Sequence, residues 1–383
     1  MKLVPFGSIC KLQNGRAFKP SDWSEKGDPI VRIQNLNDES KPFNYCNFSV
    51  EERFHINTGD LLFSWSGTPG TSFGAFFWNR GFGVLNQHIF RVDVDENMIS
   101  KDYLRYAINA QLNYIIDQAH GGVGLKHITK GKLEAVEIPL PPLAEQKRIA
   151  AILDKADAIR RKRKQAIQLA DDFLRSVFLD MFGDPVTNPK DWEVKAIKEL
   201  ATVTTGNTPS RKVPEYFGND VEWIKSDNIN TPHHILTTAT EYLSHEGVKV
   251  ARTVPKGSTL ITCIAGSFDC IGNAAFTDRE VSFNQQINAL TPKSDIVLSW
   301  FLYALVLFSK KVIQKASTNS MKGMVSKGKL EEVELILPPI EKQREFEFMF
   351  DKQVLMVERM NCSYESSSDN FNSLSQKAFT GEL

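Results

Sequence analysis

Residues 130–157 read KGKLEAVEIPLPPLAEQKRIAAILDKAD, and residues 327–354 read KGKLEEVELILPPIEKQREFEFMFDKQV. Over the first 17 positions, 130–146 against 327–343, 11 residues are identical at a constant offset of 197. Each copy runs through a Pro-Pro pair into a charged stretch free of Gly and Pro. Proline lacks an amide donor and disfavours helix in the residue before it, so the pair ends one element and marks where a helix begins.

The match continues backwards. NTGDLLFSWSG from Asn57 resembles PKGSTLITCIAG from Pro255, and VLNQHI from Val84 resembles SFNQQI from Ser282, both at an offset of 198. RIQNLN from Arg32 lies over IKSDNI from Ile224, and VPFGSICKLQNG from Val4 over KAIKELATVTTG from Lys195. Chance likeness between unrelated domains would not hold one register over blocks so far apart. A period near 197 is too long for a solenoid repeat and marks a duplicated domain with its following helix. Such a chain can fold like a homodimer fused into one polypeptide.

Each copy has two parts. The first carries short runs rich in Val, Ile, Phe and Thr (DLLFSW, FGAFFW, HIFRVDV, STLITCI) broken by Gly, Asn, Asp and Pro, the pattern of strands in a β-rich domain. Within these domains KDYLRYAINAQLNYIIDQA and LSWFLYALVLFSKKVIQKA read as core-packing helices. The second part is a long helix. Alternating steps of three and four pass through Ile149, Ile152, Ala156, Ile159, Arg163, Ala166, Ala170, Phe173 and Val177. In the second copy they pass through Phe346, Phe350, Gln353, Val357, Met360, Tyr364, Ser367, Phe371, Leu374 and Ala378. Sustained heptad spacing predicts a coiled-coil seam, with helices of ~36 residues extending ~54 Å. The expected fold is therefore α+β: two similar β-rich domains spaced by two long antiparallel coiled-coil helices, with an internal pseudo-two-fold repeat. The expected boundaries are 1–142 and 194–339 for the domains, 143–182 and 340–383 for the helices, and 183–193 for a linker, GDPVTNPKDWE, rich in helix-stop and turn signals.

Composition narrows the class. Across 383 residues, 46 basic side chains balance 46 acidic ones. A free-standing nucleic-acid binder is usually basic, so any DNA binding would draw positive charge from a partner. Five cysteines, odd in number and without C-x-x-C spacing, read as reduced thiols in the cytoplasm, with no metal site. No signal-peptide or membrane-spanning run is expected.

The stretch PLPPLAEQKRIAAILDKADAIRRKRKQAI from Pro139 resembles the central spacer of the specificity subunit of type I restriction–modification systems. MFGDPVTNPKDWE from Met181 resembles that family's junction into its second half, and the LPP-x-x-x-Q signal recurs at 337–343. TGNTPS from Thr205 resembles the start of a target recognition domain, from which LQNGRAF in the first copy departs. The resemblance covers residues 3–383. It implies that each β-rich unit reads half of a split double-stranded DNA target and that the helices set the unread gap. It also implies that methyltransferase subunits, two of them, dock on the scaffold, with motor-nuclease subunits as further partners. S-adenosylmethionine, ATP and Mg would belong to those partners, with no cofactor and no catalysis in this chain.

Two other classes compete with this reading: a stand-alone DNA-modifying enzyme and a coiled-coil interaction scaffold that does not bind DNA. Against the enzyme, both Pro-Pro pairs follow leucine (Leu140, Leu337) where an adenine methyltransferase places Asp or Asn, and no GxxxxGK[ST] loop exists. Against the bare scaffold, two large β domains would be superfluous. Arg, Lys, Asn, Gln, Asp and Ser are the side chains that read groove edges. Arg32, Gln34 and Asn35, with their counterparts Lys225, Ser226, Asp227 and Asn228, are the expected DNA-binding residues, because they recur where strand patterns end. Lys126, beside the glycine-rich 121–124, joins them. The recurring Asn86-Gln87 and Asn284-Gln285 read as buried hydrogen-bonding pairs, RRKRK at 160–164 as a solvated helix face, and His234 as surface.

Overall fold

The computed structural model describes residues 1–67, 73–122, 125–231, 234–317 and 323–383. The chain divides into two compact units, residues 1–164 with 363–383, and residues 165–362.

The head of the first unit is closed by pairing its beginning to its end, Leu3–Pro5 antiparallel to Glu137–Pro139. Between them lies a four-stranded antiparallel sheet in the order Cys10–Asn14, Ile89–Val94, Leu61–Ser64, Gly74–Phe77. A second sheet runs Asn44–Cys46, Asp28–Val31, Gly83–Leu85, His55–Ile56, its middle pair parallel through Ile30↔Val84 and Val31↔Leu85. The Lys101–Ala110 helix packs its apolar face, Tyr103, Leu104 and Ala107, into the core.

The second unit repeats this plan. Glu193–Ala196 pairs with Glu334–Leu337. One sheet runs Ala201–Thr205, Ile287–Pro292, Thr259–Thr262, Ala274–Phe276. The other contains Tyr242–Leu243, Val221–Ile224, Val281–Phe283 and Thr253–Val254, with Phe217–Gly218 added at its edge. Its parallel pair, Trp223↔Ser282 and Ile224↔Phe283, matches that of the first head. Strands Leu61–Ser64 and Thr259–Thr262 are buried at every position, so apolar residues sit side by side in them rather than alternating with exposed ones. Gly15 and Gly206 occupy equivalent crossings. A Cβ on either would stand 2.2 Å from the carbonyl oxygen of Asn86 or Asn284, so only glycine lets the two backbones meet.

The helices form as the sequence predicts, over Leu143–Phe182 (40 residues) and Ile340–Thr380 (41 residues). Gly183 and Gly381, with φ of 77° and 87°, end them in the left-handed conformation. Within the first unit, Arg148 donates to the Leu383 carbonyl, Arg160 lies over Phe371, and Arg163 donates to the Ser363 carbonyl. Within the second, Gln353 donates to the Ala170 carbonyl and Phe178 packs on Phe346. Numbers fall along one helix as they rise along the other, so the pairing is antiparallel.

The glutamine of LPP-x-x-x-Q has a structural reason. Gln146 is fully buried; its Oε1 accepts from the Ser100 amide at 2.9 Å, and its Nε2 donates to the carbonyls of Met98 (3.0 Å) and Pro141 (2.9 Å). Gln343 does the same with the Leu298 amide (3.0 Å) and the carbonyls of Ile296 (3.3 Å) and Pro338 (2.9 Å). One side chain thus ties the proline break, the start of the long helix and the N-terminus of the head's own helix together.

The second helix buries its predicted seam: Phe346, Phe350, Val357 and Ala378 are buried, and Tyr364, Phe371 and Leu374 half-buried. The first departs from it. Ile149 is buried and Ile152 and Val177 half-buried, but Ile159 and Phe173 are 50% and 57% exposed. Ala170, a predicted seam position, is buried, and from it Leu174, Phe178 and Phe182 are buried at steps of four in place of the continuing seam. The cause is packing against the head: Phe178 and Phe182 meet Phe301 and Phe346, and a stripe advancing by four turns away from a 3.5-residue seam to reach them. The predicted solvated run at 160–164 is split. Arg160 and Arg161 pair with Asp157, a carboxylate only 5% exposed.

Candidate nucleic-acid interface

In both heads the chain leaves the central parallel strand into a tight turn, and the predicted reading residues sit there. Asn35 and Asn228 build that turn. Asn35 Oδ1 accepts from the Arg32 amide at 3.1 Å, and Asn228 Oδ1 accepts from the Lys225 amide at 3.0 Å. Their Nδ2 groups donate to the carbonyls of Lys41 and Pro42, and to Thr237 Oγ1 and the Thr238 carbonyl. At 2% and 6% exposure they cannot reach a base edge, which corrects the expectation for these two. The identity recurs because the turn needs an amide that caps and bridges at once.

The residues they hold are placed differently in the two heads. Arg32 donates from Nη1 to Asn44 Oδ1 at 2.9 Å, and its guanidinium lies 5.3 Å from the centre of the Trp23 ring. With Phe18, Gln34, Gln87 and His88 these two residues line a recess of about 190 Å³. Gln34 is exposed. Burial, and then the neighbouring Arg32 charge, hold the His88 imidazole below its ordinary pKa, so it is neutral near pH 7. In the second head Lys225 pairs with Glu241, which also takes Arg211 at 2.6 Å. Lys225 and Arg211 both lie over the Trp223 ring. Those cations hold the Glu241 carboxyl below the usual carboxylate range. Ser226 donates to Gln286 Oε1 at 3.2 Å, and Asp227 is exposed.

Lys126, on the Leu125–His127 strand, is half-buried with Nζ 3.4 Å from the Ile116 carbonyl, and Val123 and Gly124 beside it lie outside the described residues. The Asn-Gln pairs are only partly buried. Asn284 is buried, whereas Gln285 is exposed and accepts from Thr208; Asn86 and Gln87 are half-buried. His234 is not surface: it stacks edge-on against Tyr303 and Phe350, and its Nε2 lies 3.4 Å from Asp171 Oδ1. Its neighbour His233 lies outside the described residues. Sequence reasoning missed Trp23, His88 and Glu241, which reach the turns only through the fold. Among the described residues no group of three His, Cys, Asp or Glu is placed to hold a metal ion.

The family model for the type I restriction modification DNA specificity domain matches this chain twice, over residues 1–169 and 189–352. The chain belongs to that family. Its members supply DNA target recognition to type I restriction–modification systems and are not the catalytic component. Across 99% of its length the chain is 23% identical to the type I restriction enzyme EcoBI specificity subunit of Escherichia coli, covering 85% of that protein. It is 24% identical over 76% of its length to the MjaVIII specificity subunit of Methanocaldococcus jannaschii, covering 71% of it. A solved structure, the type I restriction–modification S subunit from M. genitalium, superposes with a TM-score of 0.60 at 14% identity, covering 99% of this chain and 96% of that one. That likeness bears on the fold.

Proposed function

We propose that each head, 1–142 and 194–339, reads one half of a bipartite double-stranded DNA target, and that the two long helices, 143–182 and 340–383 with the linker 183–193 between them, set the number of unread base pairs. The observation that carries this is the equivalence of the heads. Both present a turn after the same parallel strand, pinned by the same buried asparagine, yet they offer different side chains there. One scaffold with two reading faces suits two unrelated half-sites; a true homodimer would require a palindrome.

Arg32, Gln34, Lys126, Lys225, Ser226 and Asp227 are the residues assigned to DNA. Methyltransferase subunits, two per chain, dock on the helices, and motor-nuclease subunits complete the assembly. In support, Leu169, Phe173, Met349 and Met356, which flank the Ala170–Gln353 contact, are 60%, 57%, 40% and 44% exposed. Exposed apolar surface rich in methionine marks a partner face. The balanced charge fits a reader that gains DNA affinity only in the complex. S-adenosylmethionine, ATP and Mg belong to the partners. The free thiols fit a cytoplasmic protein, and no helix among the described residues is long and apolar enough to cross a membrane.

The test is removal of one heptad from each helix, seven residues or ~10.5 Å. At ~3.4 Å per base pair, the methylated motif of the complex should lose about three unread positions and keep both half-sites. An unchanged gap refutes the spacing role.

A further inference from the structure

We propose that Arg32 is the residue by which the first head recognises a guanine, through paired hydrogen bonds to O6 and N7 in the major groove; this rests on the assignment of that head to one half-site. Arginine only donates, and its planar fork matches the two adjacent acceptors that guanine alone presents there. Three observations single out this arginine. Its backbone is fixed by Asn35, and its guanidinium by Asn44 Oδ1 and the Trp23 face, so the fork is held in place before DNA arrives. Its only side-chain hydrogen-bond partner among the described residues is a neutral amide, and it forms no ion pair, so the positive charge is uncompensated. It opens into a recess whose other polar walls, Gln34, Asn86, Gln87 and His88, are base-edge readers by chemistry, beside a Trp23 ring that is 40% exposed.

A phosphate anchor would look different: a long, exposed side chain without a fixed fork, as Lys162 and Lys164 are exposed on the first helix. The second head sharpens the contrast. Lys225, at the equivalent position, pairs with Glu241 together with Arg211, so among the described residues the cations of that turn are both held by one carboxylate.

The experiment uses the full chain assembled with its methyltransferase subunits on a plasmid library with both half-sites randomised, read by methylation sequencing. R32K keeps the charge and loses the fork; R32Q loses both. Both should lower discrimination for guanine at one position by roughly 5- to 150-fold. That position must lie in the half-site that changes when residues 1–142 are exchanged for a relative's, and the other half-site and gap should stay unchanged. An unaltered motif in both variants overturns the proposal. So does loosening spread over every position, or failure of both variants to assemble, because each makes Arg32 structural. If the unmodified complex yields no two-part motif, the half-site assignment itself fails, and that outcome is distinct from the others.

Discussion

Replacing Gln146 by alanine tests the link between head and helix. The substitution strips partners from three buried backbone groups, the Ser100 amide and the carbonyls of Met98 and Pro141. Each unsatisfied buried group costs ~1–3 kcal/mol, and one water entering the vacated space can satisfy part of the set, so the expected loss is ~3 kcal/mol. For a unit of this size that lowers the unfolding midpoint of the first unit by ~6–12 °C. Calorimetry should show one transition shifted and the other in place, because Gln343 holds the second unit independently. Gln146→Glu gives a signed pH test. The new carboxyl keeps its acceptor for Ser100 but faces two carbonyl oxygens, so folding favours its protonated form and raises its pKa above the unfolded value. Its stability is therefore fully present below the unfolded pKa and lost as pH rises through the folded one. A midpoint within 2 °C of the parent in Gln146→Ala, or a Gln146→Glu variant more stable at pH 8 than at pH 5, refutes the reasoning.

Arg279 and Glu222 form an ion pair in the second head, bridged to the carbonyls of Leu236 and Thr237. Burial alone would raise the Glu222 carboxyl, but Arg279 and the Ala239 amide outweigh it and hold the pKa below its ordinary value. That stability is present above the unfolded pKa and lost as pH falls through the folded one. Arg279→Met should destabilise the second unit by ~3 kcal/mol near pH 7, and the difference from the parent should shrink toward pH 4; a deficit independent of pH in urea titrations counts against the pair. Burial pushes the Cys10 thiol up to about 12 and the Cys263 thiol to about 11, whereas Cys362 is exposed. Native-state alkylation followed by mass spectrometry should modify Cys362 and leave Cys10 and Cys263 unmodified until denaturant is added, since the thiolate is the reactive form.

The duplication, the two-part architecture and the helix starts were legible in the sequence, because each rests on local chemistry: a Pro-Pro break, short apolar runs punctuated by Gly, Asn, Asp and Pro, a stretch without glycine. The seam of the first helix was not. Phe173-Leu174 and Val177-Phe178 place apolar side chains on neighbouring faces, and heptad counting cannot choose between them; the aromatic cluster around Phe301 and Phe346 does. The equivalence of the two turns was legible, since Arg32 and Lys225 recur ahead of matching asparagines and cap the same short helical turn. Their asparagines were misjudged because a polar residue at a strand end looks the same whether it caps the backbone or faces solvent. Glu241 was invisible for a different reason: it meets Lys225 only through a pairing of strands 16 residues apart.

The first unit is discontinuous along the chain, and this sets an order of assembly during translation. Residues 165–362 form an uninterrupted segment that can close its core as it emerges from the ribosome. The earlier-made unit must wait for residues 363–383, which supply Phe371, Ala378 and Phe379 to Tyr103, Tyr106 and their neighbours. Domains usually fold in the order they are made. Here the nascent N-terminal half stays open until the final turns of helix arrive, so premature termination after residue 362 strands the older half and spares the younger.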